Sequence, residues 1–321
     1  MSQKTAIVVF NLGGPDSLDA VRPFLRNLFS DPAILNLPNP FRAALAQIIS
    51  RSRAPQARRN YALMGGASPL LPASRAQSAA VQDWLHHHCP GSVLKCFPAM
   101  RYWHPQIARV QEQIKSWGAE QIILLPLYPQ FSTTTTGSFF EAWEKTGKDL
   151  PNPVKIVSYA NDADFVSAHV GQILKTFEKH GSPQNLRLIF TAHGLPQSIV
   201  DGGDPYPDEI GQTCAAIKER LPEALSDTVI AYQSRVGPLK WIGPATPDEI
   251  NRAADDGKGV LLVPVAFVSE HVETLVELDI EYRQQAEQMG IERYIRVPAL
   301  NLEPDFIRCL GRQVVQALEL A

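Results

Sequence analysis

GVLLVPVAFVSE, residues 259–270, runs four aliphatic residues into a proline and a second apolar stretch with no charge until its last position. A continuous run of this length suits a strand covered on both faces, which is the habit of parallel sheets packed between helices. Seven other β-branched or aliphatic runs share the character: TAIVVFNL (5–12), SVLKCFPA (92–99), QIILLPL (121–127), VKIVSYA (154–160), LRLIFTA (186–192), DTVIAYQS (227–234) and RYIRVPAL (293–300). Helix-length segments separate them, so the class is α/β built from βαβ units. ILLPLYPQFS (123–132) echoes LLVPVAFVSE (261–270): aliphatics, proline, aliphatic, then an aromatic and a serine. About eighty residues separate the first two runs while later ones come closer together, which suits two four-stranded sheets better than a closed eight-stranded barrel. The expected division is 1–149 and 150–321, with KTGKDLPNPV (145–154) as linker and the last helix packing back on the first domain.

Bulk properties narrow the function. The chain has 321 residues, 45% hydrophobic and 20% charged, with a net charge of -3, so it has no nucleic-acid footprint. No run approaches the ~20 apolar residues of a membrane span, and the N-terminus lacks a signal-peptide pattern, so a cytoplasmic protein is expected. Cys89, Cys96, Cys214 and Cys309 are scattered, with no C-x-x-C pair, which reads as reduced thiols. Paired glycines occur in NLGGPDS, MGGASPL and VDGGDPYPD, but no dinucleotide or P-loop spacing does. Those glycines read as tight turns at the C-terminal ends of strands, where open α/β sheets place their sites.

Two clusters fall at such ends. His193 closes the run in FTAHGLPQSI (190–199), either as a core histidine bonded to backbone or as a site imidazole. On a helix starting near Ser269, Glu270, Glu273 and Glu277 share one face, with Glu281 beyond and His271 inside the row. That row is either a solvated acidic helix face or a path for cations and protons. An imidazole and carboxylates over one sheet edge suit a borderline divalent cation held transiently. HHH (86–88) sits where a helix ends, placed to meet its C-terminal dipole. The long connection 30–76 sets apolar residues beside Arg51, Arg53, Arg58 and Arg59. It reads as an ordinary amphipathic helix or as an apolar lip with a cationic rim, suited to a hydrophobic anion or an anionic membrane surface.

NLGGP, GGASPL, AMRYWHP, LLPLYPQFSTTTTGS, FTAHGLPQSIVDGGDPYP, YQSRVGPLKWIGP and FVSEHVETLVELDIEY, in this order, make the chain resemble the ferrochelatases, which insert Fe²⁺ into a porphyrin at the end of heme synthesis. The resemblance implies two similar Rossmann-like domains with a porphyrin cleft between them. By motif it implies His193 and Glu273 as metal ligands and proton acceptors, with Glu270, His271 and Glu277 continuing a proton or metal path. It places Leu12, Arg101, Tyr102, Tyr128 and Phe267 along the substrate cleft, and small neighbours of His193 leave room for a flat macrocycle. Fe²⁺ is then a substrate and no cofactor is held permanently. The chain stops without the cysteine-bearing extension of some members, so no iron–sulfur cluster is expected, and a monomer is. Protoporphyrin IX is the expected substrate, with coproporphyrin III insertion or a non-catalytic porphyrin carrier as alternatives.

Overall fold

The computed structural model describes residues 3–147, 149–235 and 237–319; Met1, Ser2, Lys148 of the expected linker, Val236 of the 232–244 motif, Leu320 and Ala321 lie outside the described residues. All eight expected strands form: β1 (Lys4–Asn11), β2 (Val93–Met100), β3 (Gln121–Pro126), β4 (Val154–Lys155), β5 (Leu186–His193), β6 (Thr228–Gln233), β7 (Gly259–Pro264) and β8 (Tyr294–Arg296). They make two four-stranded sheets with the orders β2-β1-β3-β4 and β6-β5-β7-β8, and every pairing is parallel. The two orders are one pattern used twice. In each, the chain reverses its direction of travel across the sheet between the first and third strands, and the crevice at that reversal is where such sheets bind ligands.

The apolar runs are continuous because both faces of each sheet are covered. In the second sheet Leu188, Phe190, Leu261 and Val263 enter one core, while Ile189, Val260 and Leu262 enter another on the opposite face. The first sheet repeats this, with Phe10 at 0% exposure stacked on Phe139, ring centroids 3.8 Å apart. The echo between 123–132 and 261–270 is structural as well: β3 and β7 each lead into a π-helix, Thr133–Gly137 and Glu273–Glu281.

The chain divides into one unit running through Ser158 plus the residues from Ile307 onward, and a second unit, Tyr159–Phe306. This differs from the expected 149/150 boundary. Val154 and Lys155 pair with Ile123 and Leu124, and the Ile156 amide donates to the Leu124 carbonyl at 3.0 Å, so the fourth strand belongs to the first sheet. In the first unit the Trp84 ring occupies the space that a side chain at Gly311 would need, so the final helix, Pro304–Glu319, must carry glycine there.

In the second unit Asp162 caps the helix Ala163–Lys179, accepting from the amides of Asp164 and Phe165 at 2.9 and 3.2 Å. Asp162→Ala leaves two first-turn donors unsatisfied and is expected to cost about 1 kcal/mol in urea unfolding. Asp162→Asn, which keeps the acceptor, should restore most of it.

Candidate active site

In the second unit the C-terminal ends of β5, β6 and β7 bring together His193, Gln233 and the segment that starts at Phe267. His193 is the last residue of β5. Its Nδ1–H donates to the Gly194 carbonyl at 2.6 Å, which leaves Nε2 as the acceptor nitrogen, 3.6 Å from Glu273 Oε1. His271 repeats the arrangement: Nδ1–H donates to the Ser269 carbonyl at 3.1 Å, and Nε2 lies 3.5 Å from Glu273 Oε2. Glu273 therefore sits between two imidazoles, each oriented by a backbone carbonyl. His193 remains the more open of the two, with 38% of its side chain exposed against 13% for His271.

Burial alone would raise the Glu273 carboxyl, but the charge of His193 and the hydrogen bond and charge of His271 outweigh it and hold the group below the usual carboxylate range. Removing His271 leaves burial less opposed. In His271→Ala the Glu273 side-chain carboxyl, followed by ¹³C NMR, is expected to titrate at higher pH than in the wild type. An unmoved midpoint would show that His271 does not act on Glu273.

The structure divides the expected acidic row. Glu270 precedes the π-helix and pairs with Arg296 of β8 at 2.8 Å, also accepting from the Ala299 amide at 3.0 Å. Burial opposes its ionisation, and Arg296 overrides burial to lower its pKa. Arg296 also grips Asp279 at 2.6 Å, so one guanidinium spans both ends of the segment that carries Glu273. Glu277 faces a third set of partners, accepting from Gln233 Nε2 (3.0 Å), the Ser234 amide (2.9 Å) and hydroxyl (2.5 Å), and the Tyr282 hydroxyl (2.8 Å). The expected i, i+3, i+7 face assumed α-helical turns. The i→i+5 bonding of a π-helix widens the turn and breaks that alignment. Burial and the charge of Glu277 raise the pKa of Glu281.

Gly194 has a role other than the expected one. A Cβ there would lie 3.1 Å from the Gln233 carbonyl and 3.3 Å from the Trp241 ring, so the missing side chain admits β6 and Trp241 rather than a ligand. Trp241 stands beside His193, ring centroids 6.4 Å apart, and Phe267 packs on His271 at 4.6 Å.

In the first unit the other expected residues gather at the corresponding sheet edge. Leu12 follows β1, Arg101 and Tyr102 follow β2, and Tyr128 lies just past β3, its ring edge-on to Phe10 at 6.2 Å. The Tyr102 amide donates to the Leu12 carbonyl at 3.0 Å. Arg101 and Tyr102 share one buried acceptor: Asp31 Oδ2 takes Arg101 Nη2 at 2.7 Å and the Tyr102 hydroxyl at 2.6 Å, and the Ser138 hydroxyl donates to it as well. Burial and then the charge of Asp31 raise the Tyr102 phenol far above its ordinary range, so it stays a donor. Tyr102 is only 3% exposed, which gives it a supporting place behind the sheet edge rather than an open contact surface.

Among the described residues no group of three or more His, Cys, Asp or Glu side chains is arranged to hold a metal ion. A ferrochelatase family model matches residues 4–318. The chain belongs to the ferrochelatase family. The ferrochelatase of Caulobacter vibrioides is 52% identical over 98% of this chain and 90% of its own length. That of Hyphomonas neptunium is 49% identical over 99% of this chain and 89% of its own. Among solved structures, SirB from Bacillus subtilis with Fe³⁺ shares the fold at a TM-score of 0.55 and 12% identity, covering 98% of this chain and 96% of that one. CbiX, the terminal enzyme of siroheme biosynthesis in denitrifying bacteria, does so at 0.53 and 14%, covering 98% and 99%.

Against the family reading of the sequence, five side chains at these edges were missed: Asp31, Ser138, Gln233, Ser234 and Arg296. Ser138, Gln233 and Ser234 lie inside quoted ferrochelatase motifs, and their hydroxyl and amide groups beside strand ends were the available signal. Asp31 and Arg296 lie outside those motifs: Arg296 interrupts the apolar run 293–300, and Asp31 is a lone carboxylate in an arginine-rich stretch.

Proposed function

We propose that this chain joins Fe²⁺ to protoporphyrin IX, releasing the two pyrrole protons, with His193 as the base and Glu273 as the carboxylate that receives positive charge. Family membership makes it a porphyrin metal-insertion lyase of heme synthesis. The observation that carries the residue assignment is the pair of Nε2 atoms turned toward Glu273 at 3.6 and 3.5 Å. With both Nδ1 atoms donating to backbone, each Nε2 is the ring nitrogen that faces the carboxylate, so a proton or cation placed there is held from both sides.

Metal insertion needs that property. Two N–H protons leave the ring as Fe²⁺ binds the four nitrogens, with no change in oxidation state. His193 Nε2, the more open imidazole, takes a pyrrole proton. Glu273, already ionised, stabilises the imidazolium and takes the second pyrrole proton, and His271 holds the carboxylate in place. His271, beside Glu273, leads protons onward, while Glu277 and Glu270 stand apart from it, each on its own partners. Leu12, Arg101, Tyr102, Tyr128 and Phe267 shape the porphyrin surface, directly or from behind it. Fe²⁺ is a substrate here, and no iron–sulfur cluster or other resident cofactor is part of the reading.

The chain acts as a cytoplasmic monomer in this reading, resting on an anionic membrane surface. Among the described residues no helix is long and apolar enough to cross a bilayer. The helix Phe41–Leu63 exposes Phe41, Ile48 and Leu63 at 70, 64 and 61%, beside Arg51, Arg58 and Arg59. Binding to anionic vesicles that weakens with salt supports this contact, and no co-sedimentation at either salt concentration removes it.

The reaction is tested anaerobically by mixing the protein with Fe²⁺ and either protoporphyrin IX or coproporphyrin III and following the loss of free-porphyrin fluorescence. Faster turnover of protoporphyrin IX supports the reading. Preference for coproporphyrin III overturns the substrate, and no turnover of either ring favours a porphyrin carrier.

A further inference from the structure

We propose that Asp31 is a positioning residue that sets porphyrin selectivity by cancelling the charge of Arg101 at the edge of the first sheet. The inference rests on the porphyrin reading above. Asp31 is the only carboxylate between Asp19 and Asp83, a stretch that holds Arg22, Arg26, Arg42, Arg51, Arg53, Arg58, Arg59 and Arg75. None of those arginines takes it. Its side chain is 2% exposed and is committed to Arg101, 70 residues away, and to Tyr102 and Ser138.

The lock leaves Arg101 turned along the edge rather than outward. Its Nη2 meets Asp31, its Nε donates to Ser138 Oγ at 2.8 Å, and its guanidinium lies 4.8 Å from the centre of the Tyr102 ring. Nη1 has no protein partner among the described residues, and 21% of the side chain stays exposed, so the group is within reach of a ligand at the strand ends. A charge-neutral edge suits the vinyl-bearing side of protoporphyrin IX. Coproporphyrin III carries two further propionates in place of those vinyls and would gain from a cation there. Selectivity of this kind comes from withholding a partner from the competitor.

The test measures the ratio of Kd values for the two porphyrins, by porphyrin fluorescence titration of the metal-free protein. Asp31→Asn keeps one oxygen for Tyr102 and Ser138, gives up the acceptor for the Ala33 amide and frees the Arg101 charge, and should move the ratio about fivefold toward coproporphyrin III. Arg101→Met leaves Asp31 unbalanced and should move it the opposite way. Asp31→Asn/Arg101→Met should return it close to the wild-type value. Opposite shifts from the two single variants are a signature of charge that loss of packing does not produce. Both variants shifting alike, or no shift in either, overturns the proposal. If Asp31→Asn does not fold, the Arg101→Met direction decides: movement toward coproporphyrin III, or none, overturns it. Wild-type protein that binds neither porphyrin overturns the porphyrin reading itself. Binding without turnover overturns the enzymatic assignment and leaves the selectivity ratio to be read.

Discussion

His193→Ala is expected to slow Fe²⁺ insertion into protoporphyrin IX by about 10²- to 10⁴-fold, the range over which a positioned general base acts. The imidazole makes one hydrogen bond to its neighbour's carbonyl and leaves 38% of its side chain exposed, so its removal should move the urea midpoint only by what the weaker compensation of Glu273 costs, well short of the loss of turnover. Lost turnover with retained stability separates a chemical role from a structural one. Glu273→Gln should lose turnover too, because the amide can accept a hydrogen bond but cannot carry the compensating charge. His271→Ala should lose less, since His271 acts on the Glu273 carboxylate and is the more buried ring. Turnover within a few-fold of wild type in His193→Ala would remove His193 as the base.

Arg296→Leu is expected to destabilise the protein by about 3 kcal/mol at neutral pH. One guanidinium, with 10% of its side chain exposed, satisfies Glu270 and Asp279, and its loss strands two carboxylates of which 20 and 28% is exposed. The pH dependence follows from the sign of the shifts. In the wild type the Glu270 pKa is depressed, so its contribution is complete above the ordinary glutamate pKa and is lost as pH falls through the depressed value. In the variant Glu270 loses the cation that overrides its burial, so its carboxyl rises, and protonating it relieves the penalty. The gap between wild type and variant in urea unfolding should therefore be larger at pH 7.5 than at pH 5. Arg296→Lys, with a single ammonium in place of the planar fork, should recover part of the stability. A gap that grows toward pH 5 would contradict the account. Because Arg296 spans the segment holding Glu273, turnover should fall in Arg296→Leu beyond what the unfolded fraction explains.

The strands were readable because a parallel strand covered on both faces leaves an uninterrupted apolar run. LRLIFTA and GVLLVPVAF could hardly be anything else, and the repeat between 123–132 and 261–270 marked the two halves. His193 could be placed because it closes such a run, and Glu273 because its segment follows one after a short connection. The fourth strand was read as a strand but assigned to the second domain, because the polar, proline-containing stretch before it looks like a linker. The acidic row was misread because helix type is not visible in residue spacing, and α-helical periodicity was applied to a π-helix.

The sequence by itself determined the α/β class, the paired halves, the family, and the imidazole and carboxylate at the strand ends, all of which depend on neighbours within a few tens of residues or on contiguous motifs. Tertiary structure alone decided which charges remain available. Glu270 is drawn to Arg296 from 26 residues away, Glu277 to Ser234 from 43, and Arg101 to Asp31 from 70. A carboxylate's partner depends on which cation or donor the fold carries to within about 3 Å, and Coulomb attraction at that range outweighs any preference encoded along the chain.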